Sequence, residues 1–231
     1  MALLVAVSFG PALAASSAPR VRVTTNMGQF VVELAPERAP LTVANFLRYV
    51  REGHYTDTLI HRVVGNFVIQ GGGHAAGNME LKPNHDPVFN ESGDGLQNKR
   101  GTVGLARSEA PHSGNSQFYI NINDNPDLDP VATRWGYAVF GRVVEGMDVV
   151  DRIGAVATGS TGPFKSDAPI KPIIIQKIEE VDLSAATPAP APAAPTTAPN
   201  PTPAAAAPGA DHAAPAPGPA TAAPAAPTPR Q

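Results

Sequence analysis

The chain contains no cysteine among its 231 residues, so disulfide bonds, thiolate nucleophiles and cysteine-zinc sites are all excluded. Positive charge is also sparse, because the net charge is −3 and no run of basic residues exceeds two. The sequence therefore lacks the clusters of basic residues that are typical of nucleic-acid-binding proteins. Beyond the first 14 residues there is no long apolar run, and we expect no membrane-spanning segment in the mature protein.

The N-terminal segment, residues 1–14, is largely apolar and ends in Ala12-Leu13-Ala14, a small-x-small pattern. It is too short for an ordinary transmembrane helix. The pattern predicts a secretory signal peptide that is cut after Ala14 or Ala15. The alternative interpretation is a buried N-terminal strand.

The C-terminal segment, residues 184–231, consists almost entirely of alanine, proline and threonine and holds more than half of the 26 prolines. It has no apolar periodicity and no large side chains to bury, so it cannot offset the entropy cost of ordering. We predict a disordered tail with polyproline II character. Residues 20–183 then form one globular domain, which is long enough to bury about two thirds of its unfolded surface.

Short apolar runs separated by turn residues indicate a mostly β protein. Strands are predicted at 21–25, 29–34, 59–64, 67–70, 102–106, 117–122, 137–144 and 170–182. One helix is predicted at 41–52, where apolar residues recur at i, i+3, i+4 and i+7 from Val43. A second, short helix is predicted at 145–153. The segment 71–101 is rich in glycine, asparagine and proline and is predicted as a long loop.

One stretch, Ile60 to Gly73, combines strand-forming residues with an arginine and a glutamine. A buried cation needs a partner or a polar ligand, or it costs several kcal/mol, roughly. Arg62 and Gln70 beside Phe67 and Val68 therefore indicate a pocket that is half polar and half apolar. A second stretch, Ser116-Gln117-Phe118-Tyr119-Ile120-Asn121, supports this interpretation.

Together the two stretches resemble the cyclophilin family of peptidyl-prolyl cis-trans isomerases, and the resemblance extends over about Arg20 to Asp182. It implies a closed eight-stranded antiparallel β-barrel capped by two helices. It also implies an enzyme that accelerates rotation about Xaa-Pro bonds. Because no bond is broken in that reaction, no metal or cofactor is expected. The expected partners are proline-containing unfolded or exported polypeptides, and a monomer is expected.

The resemblance implies a set of site residues. Arg62 is implied to be catalytic, and Gln70 is implied to place it and to contact the substrate backbone. The implied substrate-binding residues are Phe67, Val68, Ala106, Arg107, Gln117, Tyr119, Leu128 and Tyr137. Strand alternation puts Phe118 and Tyr119 on opposite faces, and the resemblance makes Phe118 the core residue. The alternatives for Arg62 are a surface ion pair or a strand residue whose long side chain snorkels to solvent.

His61 stands next to Arg62 and could be mistaken for a general base. Isomerisation requires no proton transfer, and strand alternation turns His61 away from the Arg62 face. We therefore expect a structural, hydrogen-bonded histidine. The other five histidines show no spacing typical of metal ligands.

Several positions depart from the common family pattern, including Ile60, Gly65 and Val68. Asp127 stands where many eukaryotic members carry tryptophan, and Tyr137 stands where histidine is common. Together these two residues resemble the bacterial periplasmic branch and argue against strong cyclosporin sensitivity. With the predicted signal peptide, they lead us to expect a periplasmic protein that assists the folding of exported chains.

Two other functions stay open at this point. The domain could hold proline-containing segments as a binding module without useful turnover, although the retained Arg62 and Gln70 argue against that. The tail could anchor the protein at a surface or bind a partner, although it lacks the basic residues that flank typical PxxP ligands. A plain spacer is the simpler interpretation of the tail.

Overall fold

A computed structural model of the chain describes residues 18–181. The predicted signal peptide, residues 1–14, and the predicted tail, residues 184–231, lie outside the described residues. The strands are β1 (Arg20–Thr25), β2 (Gly28–Leu34), β3 (Thr58–Val64), β4 (Val68–Ala75), β5 (Thr102–Leu105), β6 (Phe118–Asn121), β7 (Val139–Glu145), β8 (Thr158–Thr161), β9 (Phe164–Pro169) and β10 (Ile173–Val181). The helices are α1 (Pro40–Arg51) and α2 (Met147–Gly154), with a short 3-10 helix at Pro126–Leu128.

Eight of the strands close into an antiparallel barrel in the order β1-β10-β3-β4-β6-β5-β7-β2. This confirms the expected fold class. The remaining two strands, β8 and β9, form a separate two-stranded sheet. Within the described residues, no helix is long and apolar enough to cross a membrane.

The core is built where the apolar stripe of α1 meets the barrel. Val43 and Phe46 are each 2% exposed, as the helical spacing predicts. The Phe46 ring lies 5.1 Å from the Phe140 ring and meets Phe118 edge-on at 5.7 Å. The start of α1 has no side-chain cap of its own, and Glu91 accepts hydrogen bonds from the helix N–H groups there.

The register of four neighbouring strands aligns the residues that matter for the site. Arg62 on β3 pairs with Gln70 on β4, and Gln70 pairs with Tyr119 on β6. Tyr119 in turn pairs with Gly104 on β5. A Cβ atom at Gly104 would collide with the Tyr119 ring and hydroxyl, so glycine makes room for that side chain. The result is one continuous row across β3, β4, β6 and β5.

Two predictions from the sequence were wrong in detail. The loop predicted from residue 71 begins only after Ala75, because β4 continues through three glycines. Gly72 has φ +88°, and a Cβ atom there would lie 2.9 Å from the Tyr55 ring. These glycines therefore serve close packing in a strand, a known alternative to a turn. The β8–β9 hairpin was not predicted, since its polar, threonine- and serine-rich sequence has no apolar alternation.

Candidate active site

The row of site residues opens into a cavity of about 250 Å³ beside the β3–β4 hairpin. Its lining residues are Arg62, Phe67, Val68, Gln70, Ala106, Arg107, Tyr119, Leu128 and Tyr137. These include every site residue predicted from the sequence except Gln117. Gln117 lines a neighbouring cavity of about 310 Å³, which shares Gln70, Ala106 and Arg107 with the first.

The polar side of the cavity is a chain of side-chain contacts. Arg62 Nη1 donates to Gln70 Oε1 at 3.4 Å, and Gln70 Nε2 donates to Gln117 Oε1 at 3.1 Å. The first of these is longer than a typical hydrogen bond. Arg62 keeps 39% of its side chain exposed, and a guanidinium is always charged. The arrangement leaves a fixed positive charge facing solvent at the edge of the cavity.

The apolar side of the cavity is formed by rings and short aliphatic chains. Val68 and Tyr119 are 2% and 4% exposed, and Phe67 and Leu128 are half-buried. The Tyr119 hydroxyl donates to Asn98 Oδ1 at 2.6 Å. Burial raises the pKa of Tyr119 well above its ordinary value, so the phenol stays neutral. Phe118, one position earlier, belongs to the core cluster on the other side of the strand.

A second arginine, Arg107, also lines the cavity. Its guanidinium carbon lies 4.3 Å from the centroid of the Tyr137 ring, a cation–π geometry. Its Nε donates to the carbonyl of Gly136 at 3.1 Å, and its Nη2 donates to the carbonyl of Trp135 at 2.9 Å. Arg107 therefore ties the end of β5 to the segment that leads into β7.

His61 lies on the other face of β3, as strand alternation predicts. Burial is the main cause that lowers its pKa from 6.5 to about 4. We expected a structural, hydrogen-bonded histidine, and at Nδ1 the hydrogen bond is missing, because this atom is buried and has no partner among residues 18–181. The ring is instead held by packing, 4.7 Å from the His74 ring and stacked at 5.4 Å on Phe164. It is absent from the lining of the Arg62 cavity.

Sequence reasoning missed two supporting groups. Asn98, which is 1% exposed, accepts from Tyr119 and donates to Asp129 Oδ1 at 2.9 Å. Asp167, on the unpredicted hairpin, places Oδ2 3.9 Å from Arg62 Nε. An asparagine inside a predicted loop and an aspartate in a polar stretch carry no signal in a single sequence that separates them from ordinary surface residues.

A larger cavity, of about 400 Å³, lies along residues 130–135 with Ser92 and Gly93. It offers no comparable set of converging polar side chains. The cation in its lining, Arg134, already donates to the carbonyls of Asp127 and Asp129. The smaller Arg62 cavity is the better candidate, because it alone of the two pairs a half-exposed cation with a buried apolar floor.

Comparisons with known proteins identify a family for the chain. The family model described as "Cyclophilin type peptidyl-prolyl cis-trans isomerase/CLD" matches residues 20–180. Peptidyl-prolyl cis-trans isomerase A of Dickeya dadantii is 44% identical over 169 residues, which cover 73% of this chain and 88% of that protein. Peptidyl-prolyl cis-trans isomerase B of Escherichia coli is 47% identical over 157 residues, which cover 67% of this chain and 94% of that protein.

A solved structure leads to the same family. The crystal structure of a cyclophilin type peptidyl-prolyl cis-trans isomerase from Cryptosporidium parvum superposes with a TM-score of 0.58 at 26% sequence identity. The match covers 71% of this chain and 98% of that one. The chain therefore belongs to the cyclophilin family and is a peptidyl-prolyl cis-trans isomerase.

Proposed function

We propose that Arg62 is the catalytic cation of this isomerase and that the cavity beside it holds the proline ring of the substrate. The observation that carries the proposal is the position of Arg62. Its charged, half-exposed guanidinium stands in register with Gln70 at the edge of a buried apolar floor. Gln70 limits where the guanidinium can point, and Gln117 in turn holds Gln70.

The chemistry of the reaction explains why such a site is sufficient. Rotation about a peptide C–N bond has a barrier of ~18–20 kcal/mol, because the bond has partial double-bond character. In the twisted transition state the prolyl nitrogen becomes pyramidal, and its lone pair can accept a hydrogen bond. A cation aimed at that nitrogen stabilises the twisted amide more than the planar one, which lowers the barrier.

The apolar floor supplies binding and orientation. Val68, Tyr119 and Leu128 offer a slot lined by hydrophobic surface, while Phe67 stands beside it and is half-buried. Burial of a proline ring there is favourable by about 25 cal/mol per Å² of apolar surface. The neighbouring cavity at Ala106 and Gln117 then takes the chain segment next to the proline. Substrate orientation is thereby fixed from two sides.

We further propose that the substrates are exported polypeptides and that the protein works in the periplasm. The largely apolar N-terminal segment with its small-x-small ending supports export. Slow exchange at Xaa-Pro bonds, which takes tens to hundreds of seconds, limits the folding of many chains. Fractionation of cells that make the full-length protein or a variant without residues 2–14 tests this location. Full-length protein that remains in the cytoplasm would contradict it.

The catalytic proposal is tested by exchange NMR on a short Ala-Pro peptide with full-length protein and Arg62→Ala. Removal of one transition-state donor costs roughly 10²–10³-fold in rate, and we expect a loss in that range. Arg48→Ala is the matched control, because Arg48 is an exposed arginine in an i,i+4 pair with Glu52 on α1. Its activity is expected to equal that of the wild type.

Circular dichroism establishes that each variant is folded. An Arg62→Ala variant that is folded and as fast as the wild type would refute the catalytic role. Wild-type protein that binds the peptide but does not accelerate its exchange would instead favour the binding-module interpretation.

A further inference from the structure

The β8–β9 hairpin lies outside the barrel but packs against β3, the strand that carries Arg62. At one end of β9, Phe164 stacks on His61 at 5.4 Å and meets the His74 ring edge-on at 5.0 Å. At the other end, Ala168 is 2% exposed. Both ends of β9 are therefore fastened to the protein, and the residues between them have a defined position.

Asp167 lies between these two anchors and has an unusual backbone. Its φ is 58°, in the left-handed region that few residues other than glycine adopt. Aspartate tolerates this region better than most residues, yet such backbones are enriched next to functional sites. The conformation brings Asp167 Oδ2 to 3.9 Å from Arg62 Nε, and Ser166 Oγ donates to the same oxygen at 3.3 Å.

Arg62 is thus contacted from two sides by different parts of the fold. Gln70, on the barrel strand β4, contacts Nη1, and Asp167, on the hairpin, contacts Nε. Asp167 does not line the proline cavity, so it acts on the substrate only through Arg62. A long side chain with several rotatable bonds gains a narrower range of positions when both ends of its guanidinium have oxygen partners.

We propose that Asp167 is a positioning residue, which holds the Arg62 guanidinium in the orientation that the twisted amide needs. The proposal rests on the role of Arg62 proposed above. Under this proposal the β8–β9 hairpin contributes to catalysis by positioning Arg62. Loss of the carboxylate frees Arg62 to adopt unproductive orientations, so kcat falls while KM stays close to its wild-type value.

The test begins with Asp167→Asn in the full-length protein. Asparagine has the same shape and also tolerates a positive φ, so the variant removes charge and leaves the backbone unstrained. Exposed ion pairs are worth little, and we expect kcat to fall about two- to fivefold. Asp167→Gly lacks the side chain and also tolerates this φ. Its kcat is expected to fall at least as far as that of Asp167→Asn. Unchanged kcat in both variants would overturn the proposal.

Asp57→Asn is the matched control, because Asp57 is also an exposed aspartate with a positive φ, of 54°. It carries the same charge change but belongs to neither the hairpin nor the cavity lining. Its kcat is expected to match the wild type. A loss equal to that of Asp167→Asn would mean that net charge, not the contact with Arg62, sets the rate, and would also overturn the proposal.

A double-mutant cycle separates this proposal from the one on which it rests. Asp167→Asn is expected to have no further effect in an Arg62→Ala background, because its action requires the guanidinium. An equal fold-loss in both backgrounds would refute positioning while leaving Arg62 catalytic. Arg62→Ala activity equal to that of the wild type would refute the catalytic role itself.

Side-chain ¹⁵N relaxation of the Arg62 Nε–H group gives a readout independent of turnover. Faster picosecond-to-nanosecond motion of this group is expected in Asp167→Asn. Motion identical to that of the wild type would show that the carboxylate does not restrain Arg62, and the proposal would fail.

Discussion

Arg62 and Arg107 both line one cavity, and they are held in different ways. Arg107 donates to the carbonyls of Gly136, Ser108 and Trp135 and lies over the Tyr137 ring. The contacts of Arg62, at 3.4 Å to Gln70 and 3.9 Å to Asp167, are at or beyond ordinary hydrogen-bond length. The donors of Arg107 are used in hydrogen bonds to backbone carbonyls, so this side chain is structural. Arg62 makes only long contacts, so its N–H groups remain available to a substrate.

The largest expected difference between the two is in catalysis. Arg62→Lys keeps the charge but loses the planar fork that the contact geometry uses, so kcat for an Ala-Pro peptide is expected to fall roughly 10- to 100-fold. Arg107→Lys is the paired variant, and its kcat is expected to stay within about twofold of the wild type. Equal losses of kcat in the two variants would show that Arg62 and Arg107 do not differ in their contribution to catalysis.

The second prediction is that pH changes the free energy of unfolding through His61 but does not change the isomerisation rate. The pKa of His61 is lowered from 6.5 to about 4, so the unfolded chain binds a proton more readily than the folded protein. Above about pH 6.5 His61 is neutral in both states and does not reduce the free energy of unfolding. As the pH falls toward 4, the unfolded chain takes up a proton that the folded protein does not, and the free energy of unfolding decreases. Urea unfolding is expected to show about 2 kcal/mol less stability at pH 5 than at pH 7 from this group.

His61→Leu is the control for that measurement, and it should remove this part of the pH dependence. Isomerisation requires no proton transfer, so the isomerisation rate per folded molecule is expected to stay constant from pH 6 to 8. A rate that follows the titration of a histidine and becomes flat in His61→Leu would assign His61 a catalytic role and contradict the picture given above.

The smallest expected effect is the change in the free energy of unfolding when either arginine is replaced by alanine. Arg107→Ala removes the side-chain donor of the Trp135 carbonyl and leaves the Gly136 carbonyl with Asn90 Nδ2 as its side-chain donor, so the free energy of unfolding is expected to fall by about 1 kcal/mol. Arg62→Ala breaks only long contacts and is expected to change it by less than about 0.5 kcal/mol. Chemical denaturation of both variants measures the difference. A larger stability loss in Arg62→Ala would mean that Arg62 is structural.

The mostly β character and the two helices could be predicted from the sequence because apolar residues recur at the spacing that each element buries, whereas the closed barrel was implied only by the cyclophilin resemblance. Val43 to Val50 and the β-branched run at Ile173 are examples. The end of β4 could not be predicted, since glycine is typical of turns, and the neighbouring Tyr55 and Phe118 rings explain why Gly72 belongs in a strand. The distinction depends on tertiary contacts that a single sequence does not display.

The candidate site divides in the same way. Arg62 and Gln70 lie eight residues apart across a short turn, so the sequence itself brings them together. Asn98 reaches Tyr119 from 21 positions away and Asp167 reaches Arg62 from the hairpin near the end of the domain. Long-range partners of this kind depend on how the barrel closes, and polar residues in irregular or polar segments give no local sign of it.

The separateness of the β8–β9 sheet also has a consequence for engineering. No strand of the barrel takes a ladder partner from this hairpin, so the loop at its tip, Gly162 and Pro163, can be lengthened or exchanged without cutting the cylinder. Its anchors at Phe164 and Ala168 would keep the base of a grafted tip fastened to the protein. The hairpin is thus the natural attachment point for new recognition elements that would direct this isomerase to chosen client chains.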